Sequence, residues 1–179
     1  LALDMKTERR VALKFMCAPA PSSNEPSARR GRSHPLGPPR DRSVKEDFVR
    51  EVAFLKQLRS EFVVELVDYY EDPHEKQHCI VLEYGQLSLA DYLKKGALQR
   101  NERKFVVDRL AHVLQHLHGH NVVHCDIKPH NFVLFGLKWK VIDLENARRA
   151  GEPVSMRVSP SYCSPELARA VQSKPVSYT

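Results

Sequence analysis

The sequence predicts an α+β chain, and three observations carry that prediction. Val63 to Tyr70 and His78 to Tyr84 are rich in β-branched and aromatic residues and read as an antiparallel strand pair. Phe48, Val52, Leu55 and Leu58 recur at helical spacing, behind a Ser43–Glu46 pair that has the S-x-x-E spacing of a capping box. A longer helix is expected from Asn101 to His118, with Val106, Leu110, Val113, Leu114 and Leu117 on its apolar face.

The remaining elements follow in chain order. Cys17 to Val44 holds six of the twelve prolines together with serines, glycines and five arginines, so it cannot bury enough apolar surface to order itself and reads as a disordered loop. Its arginines outnumber Glu25 and Asp41; a solvated spacer accounts for them, and a docking or anion-binding arm is the alternative. Ser88 and Asp91 again have capping spacing and start a short helix through Lys94. Val122-Val123, Phe132 to Phe135 and Trp139 to Ile142 read as short buried strands bracketing a polar loop.

Composition excludes several classes. No apolar run approaches the roughly 18 residues of a membrane span, and no charged start with an apolar core marks a signal peptide. Cys17, Cys79, Cys125 and Cys163 are scattered without a CxxC pair, which fits reduced thiols in the cytosol or nucleus. The net charge of +6 comes half from the arginine-rich loop, and no nucleic-acid partner is expected. His112, His116 and His120 share one helix face, but no carboxylate or cysteine completes a zinc set; they read as a solvated face.

The densest chemistry lies in His124-Cys125-Asp126-Ile127-Lys128-Pro129-His130-Asn131, followed twelve residues after Asn131 by Asp143 in Val141-Ile142-Asp143. An Asp that can accept a hydroxyl proton, a Lys that can neutralise a phosphate, and an amide and a carboxylate that can hold Mg²⁺ are the parts of a phosphoryl-transfer site. The run resembles the catalytic loop and metal-binding motif of eukaryotic protein kinases, usually written HRDLKPEN and DFG. Val11-Ala12-Leu13-Lys14-Phe15 resembles the VAIK strand, Ile80-Val81-Leu82-Glu83-Tyr84-Gly85 the strand entering the hinge, and Ser164-Pro165-Glu166 the APE motif.

The resemblance implies a two-lobe fold, with residues 1–84 as a partial N-lobe carrying the 17–43 insertion and 85–179 as hinge and partial C-lobe. It implies cut ends: the glycine-rich loop before Leu1 and the helices after Thr179 are missing. It also implies roles. Asp126, Lys128 and Asn131 would be catalytic, and Asn131 and Asp143 would hold Mg²⁺. Lys14, paired with Glu51, would grip the ATP phosphates. The Glu83 carbonyl and Gly85 amide would meet the adenine edge, Leu82 would stand behind it, and Ala12 and Val133 would sandwich the ring. Lys128, together with Ser159 in the place of a Thr that touches Asp126 and Lys128, points to a Ser/Thr acceptor in a protein substrate.

Three features depart from the pattern. Cys125 replaces an arginine that reads a phosphorylated activation loop, so dependence on that phosphate is not expected. Leu144 and Glu145 replace Phe and Gly. Leu144 can fill the apolar slot beside His124, Leu55 and Leu66, whereas Glu145 forfeits the freedom of glycine and adds charge near the phosphates. The segment from Asp143 to Glu166 is short. The expectation is an ATP-dependent protein Ser/Thr kinase; the alternatives are a pseudokinase or nucleotide-binding scaffold, or a fragment inactive on its own, with oligomeric state open.

Overall fold

The computed structural model describes residues 2–4, 7–16, 44–72, 77–96, 98–154, 159–166 and 168–169. The 17–43 insertion, the Ser43 cap, the loop around Ser155 and the last ten residues lie outside them. The described residues form an α+β fold with two main sheets on one continuous apolar core.

The first sheet has four antiparallel strands in the order β1-β2-β4-β3: β1 is Ala2–Asp4, β2 Arg9–Met16, β3 Leu66–Asp72 and β4 Gln77–Glu83. The register sets Lys14 opposite Ile80 and Ala12 opposite Leu82. Helix α1, Val44–Gln57, packs on this sheet, with Glu46 and Asp47 in its first turn and Lys56 in its last, as its dipole favours. The expected stripe of Phe48, Val52, Leu55 and Leu58 is buried, and Phe48 stacks on the His78 ring of β4 at 4.8 Å.

The strand pair predicted from Val63 starts later, at Leu66. Val63 and Val64 leave the first sheet for the second: Val63 bridges Val141 in parallel, Val64 N–H donates to the Val141 carbonyl (3.0 Å), and Val141 N–H donates to Phe62 (2.9 Å). Backbone groups that cannot pair with β4 are satisfied there instead, and the exchange ties the two sheets together.

The second sheet has the order β5-β7-β8, from Leu87–Ser88, Phe132–Phe135 and Lys138–Val141. Helix α2, Leu89–Lys94, starts where predicted: Ser88 Oγ accepts from Asp91 N–H at 3.1 Å. Helix α3, Arg100–Gly119, is capped by the Glu102 carboxylate, which accepts from Gln99 N–H at 2.8 Å. It buries Val106, Val113 and Leu117, with Leu110 and Leu114 half-buried. Strands β6 (Val122–Val123) and β9 (Arg148–Arg149) pair antiparallel and frame the polar loop between them. Among the described residues no helix is long and apolar enough to cross a membrane.

The histidine face of α3 is not uniformly solvated. His116 is half-buried, its Nε2 lies 3.2 Å from the Leu58 carbonyl, and its ring packs on Phe62 at 5.4 Å and on His120 at 4.5 Å. It closes the C-terminal end of α1, whose last carbonyls need partners.

Leu144 is fully buried in the shared core, which makes it the most direct test of that core. Leu144→Ala is expected to cost about 2–5 kcal/mol by urea unfolding, and Leu144→Met under about 1.5 kcal/mol.

Candidate functional site

Three elements bring their charged side chains to one point. Lys14 on β2 lies 2.9 and 2.8 Å from the two carboxylate oxygens of Glu51 on α1 and 2.7 Å from Asp143 Oδ1, just after β8. Helical periodicity places Glu51 on the buried side of α1, beside Val52 and Leu55, where its side chain is only 1% exposed. Burial opposes charge on Lys14, but Glu51 and Asp143 outweigh it and hold the pKa of its ammonium above the ordinary range. Burial pushes the Glu51 carboxyl up despite Lys14, and the charges of Asp143 and Glu145 add to that rise.

Asp143 takes a left-handed backbone, φ 63°, a region that Asp enters more readily than most residues other than glycine. The turn sends its carboxylate toward Lys14 while Leu144 enters the core. Glu145 is not among the residues with positive φ. The expected conformational penalty for replacing glycine there does not arise; the left-handed position is Asp143. Glu145 instead reaches Lys14, with Oε2 3.5 Å from Nζ.

The polar loop after β6 carries the second cluster. Cys125 adopts φ 64°, and Pro129–Asn131 form one 3₁₀ turn. Asp126 is the hub: Lys128 Nζ donates to its Oδ2 (2.6 Å), Ser159 Oγ to its Oδ1 (2.8 Å), and Asn131 Nδ2 to its carbonyl (2.8 Å) and its Oδ2 (3.1 Å). Lys128 also donates to Ser159 Oγ at 3.0 Å. Burial would raise the Asp126 pKa; the donors Lys128, Ser159 and Asn131 reverse this and hold the carboxyl below its usual range.

His124 ties the two clusters. Its Nδ1 accepts from Asp126 N–H at 3.3 Å, so the proton belongs on Nε2, which donates to the Ile142 carbonyl at 3.1 Å. Burial lowers its pKa and keeps this neutral form. Ile142 N–H in turn donates to the Asn131 carbonyl at 2.9 Å, so the loop and the Asp143 turn are held as one piece.

The residues expected to form a hinge lie at and just after the end of β4. Leu82 is buried, and Ala12 and Val133 are partly so. A Cβ on Gly85 would clash with Val133 Cγ1 and sit 2.9 Å from Phe135 Cζ, so glycine lets this segment lie against β7. Sequence reasoning missed a second fastening: Lys140 on β8 donates to the Glu83 carboxylate, which also accepts Glu65 N–H at 2.7 Å. Lys140 sits directly opposite Val133 in the ladder. No local motif marks such a pair, since its partners are 57 residues apart.

Cys125 is half-buried, its Sγ 3.5 Å from the Val123 carbonyl, and burial raises its thiol pKa against the nearby charge of Arg148. Arg148 is itself buried on β9 and donates to the carbonyls of Ala147 (2.6 Å) and Glu145 (3.3 Å).

Comparison with known proteins follows the same geometry. The family model "Protein kinase domain" matches residues 34–178. The chain is 35% identical over 130 residues to human serine/threonine-protein kinase D2, covering 65% of this chain and 14% of that protein. It is 30% identical over 142 residues to the mouse dual specificity protein kinase TTK, covering 74% and 16%. It is 28% identical over 172 residues to the SNF1-like protein kinase ssp2 of Schizosaccharomyces pombe, covering 93% and 26%. The chain thus spans about a quarter or less of the length of these relatives.

Gly85→Ala is expected to lower stability by about 1–3 kcal/mol through overpacking, and Val133→Ala in the same chain to restore part of the loss. Thermal unfolding of the single and double variants measures both; an unperturbed Gly85→Ala would contradict the close approach.

Proposed function

The chain belongs to the protein kinase domain family, and from that membership and the site's geometry we propose that it is an ATP-dependent protein serine/threonine kinase. The single observation that carries the reading is the Asp126 hub, where one carboxylate oxygen lies 2.8 Å from the Ser159 hydroxyl and the other 2.6 Å from Lys128 and 3.1 Å from Asn131.

In this reading Asp126 aligns an acceptor Ser or Thr hydroxyl and takes its proton as the oxygen attacks the γ-phosphorus and the bond to ADP breaks. Its lowered pKa makes alignment its larger contribution and basicity the smaller. Lys128, already between Asp126 and Ser159, neutralises charge on the transferring group. Ser159 in that contact supports a Ser/Thr acceptor. Lys14 holds the α- and β-phosphates and Glu51 keeps it in place. The Glu83 carbonyl and Gly85 amide receive the adenine edge, with Leu82 behind it and Ala12 and Val133 on its faces.

The residues fit Mg²⁺. Asn131 spends its amide nitrogen on Asp126, which leaves its oxygen as the donor end, and Asp143 supplies a carboxylate. These are hard oxygen ligands of the kind Mg²⁺ takes. The ion would supply charge neutralisation at the phosphates.

Asp126→Asn is expected to remove most phosphotransfer to a Ser/Thr peptide while leaving ATP affinity nearly unchanged, because Asp126 acts on the acceptor. Since its folded pKa is depressed, its carboxylate persists above the unfolded value near 4, and the charge and the stability it contributes are lost only as pH falls through the folded value. The rate should therefore show no acid limb from Asp126 above about pH 4. Radiolabel transfer across a pH series, with calorimetric ATP binding beside it, tests all of this; an unchanged rate in Asp126→Asn would defeat the assignment.

A further inference from the structure

Glu83 ends β4 and stands opposite Glu65, because the register that sets Leu66 opposite Leu82 continues by one residue to this pair. Residues that are hydrogen-bonded opposite each other in an antiparallel ladder normally exchange two backbone bonds. Here the backbones make one of them: Glu83 N–H donates to the Glu65 carbonyl at 3.0 Å. The reciprocal donor, Glu65 N–H, goes to the side chain of Glu83, with Oε1 at 2.7 Å. The carboxylate therefore stands in for the main-chain carbonyl of its own residue.

Lys140 holds that substitution in place. Its Nζ donates to the same Oε1 from β8, and the two side chains are only 13% and 23% exposed. A carboxylate this far out of water needs a counter-charge to stay folded back on the backbone. Lys140 lies opposite Val133 in the ladder, so both side chains leave the sheet on one face. The chain just beyond Glu83 is held to the same sheet. Gln86 N–H donates to the Leu134 carbonyl (2.8 Å), and Gly136 N–H donates to the Gln86 side chain (2.9 Å).

We propose that Lys140 and the Glu83 carboxylate are positioning groups that keep the Glu83 main-chain carbonyl available to an exocyclic amino group on the base of the nucleotide, an inference that rests on the kinase reading above. With Glu65 N–H satisfied by the side chain, that carbonyl is not consumed by its ladder partner. A 6-amino purine brings it a donor; a purine without the amino group does not. Lys140 acts only through Glu83 and touches neither the base nor the phosphates.

The test compares two ligands that differ in one group, ATP and purine riboside triphosphate, which lacks the 6-amino group. Calorimetry in Mg²⁺ measures both affinities for the 179-residue chain as wild type, Glu83→Ala, Glu83→Gln and Lys140→Met. Wild type should prefer ATP by about five- to tenfold, the worth of one hydrogen bond. Glu83→Ala returns Glu65 N–H to the carbonyl, and the preference should nearly vanish. Glu83→Gln keeps an acceptor for Glu65 N–H and should keep most of the preference. Lys140→Met leaves the carboxylate without its anchor and should lower the preference by a smaller factor than Glu83→Ala. A merely structural loss would weaken both ligands alike and leave their ratio unchanged. An unchanged ratio in Glu83→Ala or in Lys140→Met would overturn the inference and leave the kinase reading standing. So would a collapsed ratio in Glu83→Gln, or a wild type that binds both ligands equally. Wild type that binds neither ligand would defeat the kinase reading itself, and the inference with it.

Discussion

A carboxylate taken out of water requires a counter-charge, and Glu51 is taken out almost completely. Its place on the buried stripe of α1 is fixed by Phe48, Val52 and Leu55, which the core needs. The partner comes from the facing sheet, where Lys14, towards the end of β2, reaches both of its oxygens. That ion pair sets the distance between helix and sheet. It also leaves the ammonium able to reach Asp143, so the first sheet, α1 and the turn after β8 meet at one nitrogen.

Apart from Ser159, the second cluster is built from short sequence separations. Asp126, Lys128 and Asn131 come within six residues, and the 3₁₀ turn folds them onto each other. What places this cluster relative to Lys14 is His124. A neutral imidazole there bridges the Asp126 amide and the Ile142 carbonyl, immediately before Asp143. Burial both lowers its pKa and makes those two hydrogen bonds worth keeping, because either polar group left alone would be costly. The exchange of β8 with residues 62–64 and the Lys140–Glu83 pair likewise fasten the second sheet to the first.

Much of this was legible in the sequence, for physical reasons that differ by residue. The α1 stripe, the α3 face and the Ser88 cap are local patterns of period or spacing, and they appear as expected. The Lys14–Glu51 contact and the Ser159–Asp126–Lys128 contact were anticipated through motif resemblance, since no local rule links residues 37 or 33 apart. Other features could not be read. Val63 and Val64 look like strand residues and are strand-like, but their hydrogen bonds go to a sheet formed by residues far along the chain. His116 looks solvated by helical phase and is claimed by the Leu58 carbonyl. Glu145 was expected to suffer for not being glycine; the left-handed residue is Asp143, two positions earlier, and only the folded backbone reveals which peptide turns.

The central claim is that Glu51 tolerates burial because Lys14 neutralises it, and a double-mutant cycle on unfolding free energy tests it most directly. Lys14→Met alone leaves a buried charge without its counter-ion and should cost about 3–5 kcal/mol. Adding Glu51→Gln removes that charge, so the double variant should be no less stable than Lys14→Met, with a coupling energy well above the roughly 0.5 kcal/mol of independent sites. Additive losses within that margin would contradict the account, because they would mean that the two residues do not depend on each other.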